Sequence, residues 1–172
     1  MNILLCGMMG VGKTTVGKAL AETLGLRFVD TDGEIERAHG KISELFAVKG
    51  EEYFRALETE TVKGLIGQDG LVVATGGGLV IREENRRLLK NFGLSVYLRA
   101  RVETLEKRLL DDCTRPLLQG EEVVRKERLR TLLAERGAKY KEFADCIVEV
   151  DEKSIAEIVS EIIERAEGAG AR

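Results

Sequence analysis

The residues best suited to chemistry form a glycine-rich run near the N-terminus. Residues 7–14 read Gly-Met-Met-Gly-Val-Gly-Lys-Thr, which matches the G-x-x-x-x-G-K-[ST] pattern of a phosphate-binding loop. Glycines let the backbone curl closely around phosphate oxygens, so that N–H groups point inward and the next helix adds its positive end. Lys13 would contact the β- and γ-phosphates, the Thr14 hydroxyl would bind Mg²⁺, and Thr15 would donate toward the α-phosphate. The run therefore predicts a site for a nucleoside triphosphate and Mg²⁺.

Two carboxylates that suit a metal ion or a substrate hydroxyl stand close together at Asp30 and Asp32. In many phosphate-loop proteins an acid that ends a later strand holds the metal, but the candidate strand, Leu71–Ala74, runs into Thr75 and three glycines. The acid must then come from elsewhere. Asp30 and Asp32 close the second predicted strand, at the carboxyl edge where doubly wound sheets bind ligands. An extended D-x-D would turn both side chains the same way, whereas helix capping by Asp32 is the alternative.

Three arginines are candidates for binding an anionic substrate. Arg55 has Glu58 three residues on, close enough to hold the guanidinium, and a fixed guanidinium binds a carboxylate through two parallel hydrogen bonds. Arg136 lies on a long predicted helix, and Arg115 precedes the only proline, which favours an extended segment. Gly76–Gly78 directly follows a strand and indicates close approach of the backbone to a ligand, or else a plain tight turn. Because single arginines are typical of ion-paired surfaces, the prediction depends on the whole set.

The elements that must position these residues alternate between short strands and longer helices, a pattern typical of parallel strands joined by crossover helices. Five runs rich in branched apolar residues are predicted strands: Asn2–Cys6, Arg27–Asp30, Leu71–Ala74, Leu94–Leu98 and Cys146–Val150. Helical spacing predicts one helix between the first two strands, ending at Gly25, and others over Gly33–His39, Ile42–Gly64, Glu83–Phe92, Val102–Leu110, Val123–Phe143 and Ser154–Ala166, with Ile42–Gly64 broken near Gly50. Residues 111–122 fit neither period, and we expect a mobile lid there.

Composition excludes several functional classes. The chain has 172 residues, enough for one domain with a real core. Its 27 Lys and Arg against 30 Asp and Glu leave a net charge of -3, which argues against nucleic-acid binding through net charge. Three scattered cysteines and one histidine indicate neither a disulfide framework nor a zinc site. No apolar run approaches the roughly 18 residues of a membrane span, and no signal-peptide pattern precedes the first strand. We expect a cytoplasmic protein without a membrane partner, and a monomer.

Taken in order along the chain, these motifs resemble those of the shikimate kinases. The likeness covers nearly the whole length through Gly10-x-Gly12-Lys13-Thr14, Asp30-x-Asp32, Phe54-Arg55-x-x-Glu58, Thr75-Gly76-Gly77-Gly78, Arg115-Pro116-Leu117-Leu118 and Arg136-x-x-x-Tyr140. The resemblance implies an α/β, three-layer P-loop kinase fold with a five-stranded parallel sheet flanked by helices, plus a lid over about residues 111–122. It also implies transfer of the γ-phosphoryl group of ATP to the 3-hydroxyl of shikimate, in aromatic amino-acid biosynthesis.

The same resemblance implies a role for each site residue. The residues that would contact ATP are Gly10, Val11, Gly12, Lys13, Thr14, Thr15, Arg108, Arg115 and Lys153. Those that would hold shikimate are Asp32, Arg55, Gly76, Gly77, Gly78 and Arg136. Thr14 and Asp30 would serve Mg²⁺ directly or through water. The catalytic residues would be Lys13 and Arg115, which stabilise charge on the moving phosphoryl group, and Asp32, which acts as a base or only orients a ring hydroxyl.

Other activities fit the motifs less well. A GTPase would need an N-K-x-D motif, which the chain lacks, and its D-x-x-G would come too soon after Lys13. A gluconate kinase would carry a different acidic cluster and a His after the second strand, and an adenylate kinase would carry Pro within the loop. A nucleotide-binding module without turnover is a further alternative, against which stands the presence of every charged group that the reaction would need.

Overall fold

The sheet at the centre of the molecule is parallel throughout. A computed structural model describes residues 1–109 and 121–170 of the chain. The strands within them are β1 (Ile3–Cys6), β2 (Arg27–Asp30), β3 (Leu71–Ala74), β4 (Leu94–Arg99) and β5 (Cys146–Glu149). They lie in the order β2-β3-β1-β4-β5, and every neighbouring pair is parallel. The predicted α/β class and five-stranded parallel sheet are confirmed, and each strand boundary differs from its prediction by one residue at most.

The middle of the sheet is made by strands that are apolar along their whole length. Every residue of β1 and of β3 is buried, as parallel strands covered on both faces require. Asn2 fixes the start of β1, because its side-chain N–H groups donate to the carbonyls of Gln68 (2.8 Å) and Phe92 (3.0 Å). Its side-chain oxygen accepts from the backbone N–H of Leu71 (3.0 Å). Asn2 thereby ties the first strand to segments beside both of its neighbours, β3 and β4.

Helices cover the sheet and place the loops of its carboxyl edge. In chain order they are α1 (Lys13–Leu24), α2 (Thr31–His39), α3 (Ile42–Lys49), α4 (Glu51–Leu65), α5 (Glu83–Leu89), α6 (Val102–Leu109), α7 (Glu122–Phe143) and α8 (Ile155–Gly170), with a 3-10 turn at Leu79–Ile81. α1 and α8 pack on each other and on the sheet, while α7 packs on β4 and on the 3-10 turn. The predicted break near Gly50 is confirmed, since this glycine has a φ of 84° and separates α3 from α4.

The segment from Asp30 to Asp32 is not extended, so that prediction is wrong. The Oδ1 atom of Asp30 accepts from the backbone N–H of Asp32 (3.1 Å) and of Gly33 (3.2 Å), which makes Asp30 the N-cap of α2. α2 therefore begins at Thr31, two residues before its predicted start. The cap belongs to Asp30 and not to Asp32 because a carboxylate just ahead of the first turn satisfies N–H groups that have no partner within the helix.

Three further features considered in the sequence analysis are the lid, a membrane span and the cysteines. Arg115 and residues 111–120 of the predicted lid lie outside the described residues. Among the residues described, no helix has the length and apolar character needed to span a membrane. Cys6 is a buried free thiol and Cys146 a half-buried one, in line with packing roles. Burial raises the pKa of the Cys6 thiol to about 12, so this group stays protonated.

Candidate active site

The phosphate loop has the geometry that its glycines predict. It joins β1 to α1, and Gly12, the residue just before α1, has a φ of 103°, a conformation that side chains rarely adopt. Gly7 also needs the absence of a side chain, because a Cβ there would lie 2.5 Å from the carbonyl oxygen of Leu98. The Lys13 ammonium donates to the carbonyls of Gly7 (2.8 Å) and Met8 (2.9 Å) and is 9% exposed. The side chain that would meet the phosphates is thus already held across the loop.

Thr14 and Asp30, the predicted metal pair, lie in direct contact. The Thr14 hydroxyl donates to Oδ2 of Asp30 at 2.7 Å, while Oδ1 of the same carboxylate caps α2. Mg²⁺ prefers hard oxygen ligands and usually takes one or two from the protein and the others from phosphate and water. Within residues 1–109 and 121–170, no group of three or more His, Cys, Asp or Glu side chains could hold a metal ion. The oxygen pair fits a Mg²⁺ ion that is held jointly with phosphate.

Arg55 is held in place by carboxylates on its own helix, α4. Its Nη1 donates to Glu58 at 2.8 Å and its Nη2 donates to Glu51 at 2.9 Å, one turn away on either side. The side chain of Arg55 is 14% exposed and that of Glu58 is 1% exposed. Burial of the guanidinium lowers the pKa of Arg55, but the carboxylates of Glu58 and Glu51 together outweigh that effect and hold the pKa above its ordinary value. Arg55 is therefore a fixed positive charge, suited to bind an anion in a defined orientation.

Glu58 has an unusual environment for a carboxylate. One oxygen, Oε2, accepts from Arg55, whereas the buried Oε1 has no hydrogen-bond partner among the described residues. Burial raises the pKa of Glu58 to about 6, and the Arg55 guanidinium opposes that rise only in part. The negative charge of Asp32 adds to the rise. At neutral pH Glu58 is charged at a cost, and its ion pair with Arg55 is what keeps it charged.

Arg136 brings a second guanidinium to the cleft from α7. It is 8% exposed, and a Cβ placed on Gly77 would lie 3.7 Å from its Nη1. One turn further along α7 the hydroxyl of Tyr140 donates to the carbonyl of Gly77 and lies 3.6 Å from Sδ of Met8. The far end of α7 is thereby tied to both glycine loops.

Gly76–Gly78 approaches the other site residues so closely that two of its three positions have no room for a side chain. A Cβ on Gly76 would lie 2.3 Å from Oδ1 of Asp32, and one on Gly78 would lie 2.1 Å from Nη1 of Arg55. On Gly77 the nearest atom would be the backbone nitrogen of Met9 at 3.5 Å, an ordinary contact. The sequence analysis allowed a plain tight turn as the reason for these glycines. The structure instead shows that they pack closely against two charged site residues.

One open cleft of about 530 Å³ unites most of the predicted residues. Those that line it are Gly10, Gly12, Lys13, Thr14, Thr15, Asp30, Asp32, Arg55, Gly77, Gly78 and Arg136. Gly76 stands behind Asp32 without lining the cleft, and Val11 is buried. The two guanidinium groups and the phosphate loop thus meet on one side of the molecule, as the proposal of a shared cleft requires.

Two predicted ATP contacts lie away from the lining. Arg108 donates from Nη1 to the carbonyls of Gly10 (3.3 Å) and Val11 (3.1 Å), so it contacts the backbone of the phosphate loop. Lys153 follows β5 and donates to Glu161 of α8 at 2.6 Å. The structure therefore brings Arg108 to the loop and directs the ammonium of Lys153 toward a carboxylate of α8.

The apolar wall of the cleft was missed by the sequence analysis. Ile42, Phe46 and Phe54 line it, and the two phenylalanine rings lie 5.0 Å apart. Apolar residues at helical spacing normally indicate core, which is why they drew no attention. The sequence carries no separate signal for this wall, but the structure leaves no residue of the largely apolar helix α3 fully buried. Such a helix lends its apolar face to a ligand-sized space more readily than to the core.

Fold and site together define a class of protein. A glycine loop between the central strand and α1, with a lysine and a hydroxyl–carboxylate pair, suits a nucleoside triphosphate with Mg²⁺. The other half of the same cleft presents two largely buried guanidinium groups, a carboxylate and an apolar wall, which suits a small anionic acceptor. These are the parts of a small-molecule kinase of the P-loop class.

The relatives of the chain identify the kind of kinase. The family model described as shikimate kinase matches residues 9–167. A shikimate kinase of Cupriavidus pinatubonensis is 43% identical over 172 residues, which are 99% of this chain and 88% of that protein. The chain belongs to the shikimate kinase family.

Solved structures are similar over the whole fold. The shikimate kinase from Acinetobacter baumannii in complex with shikimate has a TM-score of 0.93 and 40% identity, and the match covers 99% of this chain and 95% of that one. The shikimate kinase from Aquifex aeolicus has a TM-score of 0.85 and 37% identity, with coverage of 99% and 98%. The predicted P-loop kinase fold is confirmed.

Proposed function

We propose that this cleft transfers the γ-phosphoryl group of ATP to the 3-hydroxyl of shikimate, giving ADP and shikimate 3-phosphate. The observation that carries the proposal is the meeting of Arg55 and Arg136 with Lys13 in one cleft. These side chains come from α4, α7 and α1, so their convergence is a property of the fold and not of any local motif. Membership of the shikimate kinase family supports the choice of acceptor.

The two arginines bind the acceptor through its carboxylate. Each is largely buried, and Arg55 is also held in position by Glu58. A guanidinium that is already ordered loses little entropy when it forms paired hydrogen bonds with a carboxylate. The apolar face of the shikimate ring would then rest on the wall formed by α3 and α4. Binding at this end fixes which ring hydroxyl points toward the phosphate loop.

We assign the contact with the reacting 3-hydroxyl of shikimate to Asp32. It lines the same cleft as the phosphate loop and Arg55, and it packs against Gly76. We assign it the orienting hydrogen bond from the 3-hydroxyl. As the new bond from that oxygen to phosphorus forms and the bond between the β-γ bridging oxygen and the γ-phosphorus breaks, the hydroxyl proton passes to Asp32 or to the transferred phosphoryl group. Phosphoryl transfer leaves most of the acceleration to positioning and charge.

The phosphate half of the site works by charge. The N–H groups of residues 10–15 and the Lys13 ammonium bind the phosphates, and the oxygens of Thr14 and Asp30 hold Mg²⁺. When bound, Mg²⁺ would neutralise negative charge on the phosphates during the transfer. Arg108 is assigned to the nucleotide through its position on the loop. Arg115, outside the described residues, is assigned to the phosphates and Lys153 to the adenine end, both on the resemblance alone. That the protein is a cytoplasmic monomer stays a prediction.

An ADP-release assay with a panel of acceptors tests the proposal. Shikimate should support turnover, whereas gluconate, AMP and the absence of an acceptor should give only background release. Turnover with gluconate or AMP in place of shikimate would overturn the proposed acceptor. ADP release without any acceptor would show a nucleotide hydrolase instead.

Arginine variants test how the acceptor is bound. Arg55→Met and Arg136→Met should each raise the shikimate KM at least tenfold, because each removes a charged pair of hydrogen bonds to a carboxylate. Shikimate methyl ester, which has no charge to bind, should be a poor substrate for the wild type and should lose little further in the variants. Arg87→Met on the exposed face of α5 is the matched control and should leave KM unchanged. Equal losses with acid and ester would contradict carboxylate binding.

A further inference from the structure

The hydroxyl of Thr31 joins two segments of the site. Thr31 is the first residue of α2 and stands between Asp30 and Asp32, both of which line the cleft. Its side chain is fully buried, with an exposure of 0%. The hydroxyl oxygen accepts a hydrogen bond from the backbone N–H of Gly76 at 2.9 Å. The proposed reaction gives a role to the aspartate on either side of Thr31 but none to Thr31 itself.

This bond continues the sheet at a point where the backbone of β2 no longer can. The parallel ladder between β2 and β3 ends at the pair Asp30 and Ala74. Beyond that pair the chain turns into α2, because Asp30 caps the helix that begins at Thr31. The N–H of Gly76, just past β3, therefore meets a side-chain oxygen where a longer ladder would have supplied a backbone carbonyl. A side chain without oxygen at this position would remove the acceptor of a buried N–H group, which is unfavourable.

The position of Gly76 in turn limits where the Asp32 carboxylate can lie. The two residues are so close that a Cβ on Gly76 would lie 2.3 Å from Oδ1 of Asp32. Asp32 directly follows Thr31, so one residue of α2 holds the glycine loop and the next residue packs its carboxylate against that loop. Asp30 is held differently, since its oxygens accept from Thr14 and from N–H groups of α2. Thr31 therefore acts on the acceptor half of the site and leaves the metal pair in place.

We propose that Thr31 is a positioning residue for Asp32, which fastens the Gly76–Gly78 loop to the start of α2 and so fixes the place of the Asp32 carboxylate. The proposal rests on the role assigned to Asp32 in the proposed function. Without the Thr31 oxygen, the loop is no longer fastened to α2, and the carboxylate that packs on it loses its fixed place. The loss falls on the transfer step, because Arg55 and Arg136 still bind the acceptor while the group that orients its hydroxyl is displaced.

Thr31→Val is the direct test, because valine has nearly the shape of threonine and lacks the oxygen. We expect kcat with shikimate to fall about tenfold or more, while the KM values for shikimate and ATP stay within about threefold of wild type. Thr31→Ser keeps the oxygen and should retain kcat within about threefold. Thr61→Val is the matched control and should leave all three constants unchanged, since the Thr61 hydroxyl donates to the carbonyl of Leu57 within α4. An unchanged kcat in Thr31→Val, or an equal fall in Thr31→Ser or Thr61→Val, would overturn the proposal.

A double variant shows whether Thr31 acts through Asp32. If it does, adding Thr31→Val to Asp32→Asn should lower kcat no further than Asp32→Asn alone. Losses that multiply would overturn the proposal and leave the role of Asp32 intact. A normal kcat in Asp32→Asn alone would instead overturn the role of Asp32 in the proposed function. The two failures are therefore distinguishable.

A second pair of variants covers the case in which Thr31→Val does not fold. Thr31→Cys and Thr31→Ser differ only in carrying sulfur or oxygen at the same position, and sulfur is the weaker acceptor. We expect the kcat of Thr31→Cys to lie about fivefold or more below that of Thr31→Ser, with similar KM values for ATP. Equal kcat values in these two variants would overturn the proposal.

Discussion

Glu58 shows how one buried carboxylate can serve a binding site and still cost stability. Its Oε2 accepts a hydrogen bond from Arg55, whereas its buried Oε1 has no hydrogen-bond partner among the described residues. Burial raises its pKa to about 6, so at neutral pH the folded protein holds a charge that its surroundings disfavour. The same ion pair keeps the Arg55 guanidinium ordered for binding an anion. The site thus takes on a local penalty for the sake of a fixed guanidinium.

The Glu58 penalty has a definite pH dependence. Its pKa is about 6 in the folded protein against an ordinary 4.5, so the folded state binds this proton more tightly than the unfolded chain. The associated stability is full below the unfolded pKa and is lost as pH rises through about 6, a change of about 2 kcal/mol. Between pH 4 and pH 8, the free energy of unfolding of the wild type should therefore fall by that amount relative to Glu58→Gln. Urea titrations of both proteins at both pH values measure these free energies of unfolding. A difference between wild type and Glu58→Gln that does not vary with pH would contradict the prediction.

Among the elements, the loop Gly76–Gly78 allows the same substitution, glycine to alanine, to be compared at three neighbouring positions. Gly78→Ala would drive a methyl group into Arg55 and Gly76→Ala would drive one into Asp32, whereas Gly77→Ala makes only ordinary contacts. We expect the first to raise the shikimate KM at least tenfold and the second to lower kcat at least tenfold, because each displaces a different site residue. Gly77→Ala should change either constant less than threefold. Steady-state kinetics of the three variants test this, and equal effects at all three positions would show that the loop acts only as a turn.

Individual elements also show which features could be predicted from the sequence and which could not. The phosphate loop was predictable because strand, glycines and helix all agree with one motif, and Gly50 because a helix break favours glycine. The Asp30–Asp32 turn was not, because a carboxylate at the end of a strand can either point to a ligand or cap the next helix, and spacing alone does not separate the two. Nor could spacing show that Arg55 and Arg136 share a cleft, since that depends on how α4 and α7 pack.

At the scale of the whole molecule, ligand binding and folding are one equilibrium. The cleft takes residues from α1, α2, α4 and α7, so an unfolded chain has no shikimate site. Free shikimate at 100 times its Kd should add about 2.7 kcal/mol to the free energy of unfolding. In Arg136→Met, with Kd raised tenfold or more, the same concentration should add about 1.4 kcal/mol or less. Denaturation with and without shikimate measures both, ADP alone should stabilise the two proteins equally, and equal stabilisation by shikimate would remove Arg136 from the site.

The position of β1 in the middle of the sheet also governs when the protein can be completed during its synthesis. Asn2, beside that first strand, bonds to groups 66, 69 and 90 residues further along the chain. A ribosome therefore releases this wholly apolar strand long before either neighbour exists, and no hairpin can shield it in the meantime. Until β3 and β4 have emerged, its edges are open to any other extended chain. Nascent chains stalled between these strands are where we expect aggregation and chaperone binding to concentrate.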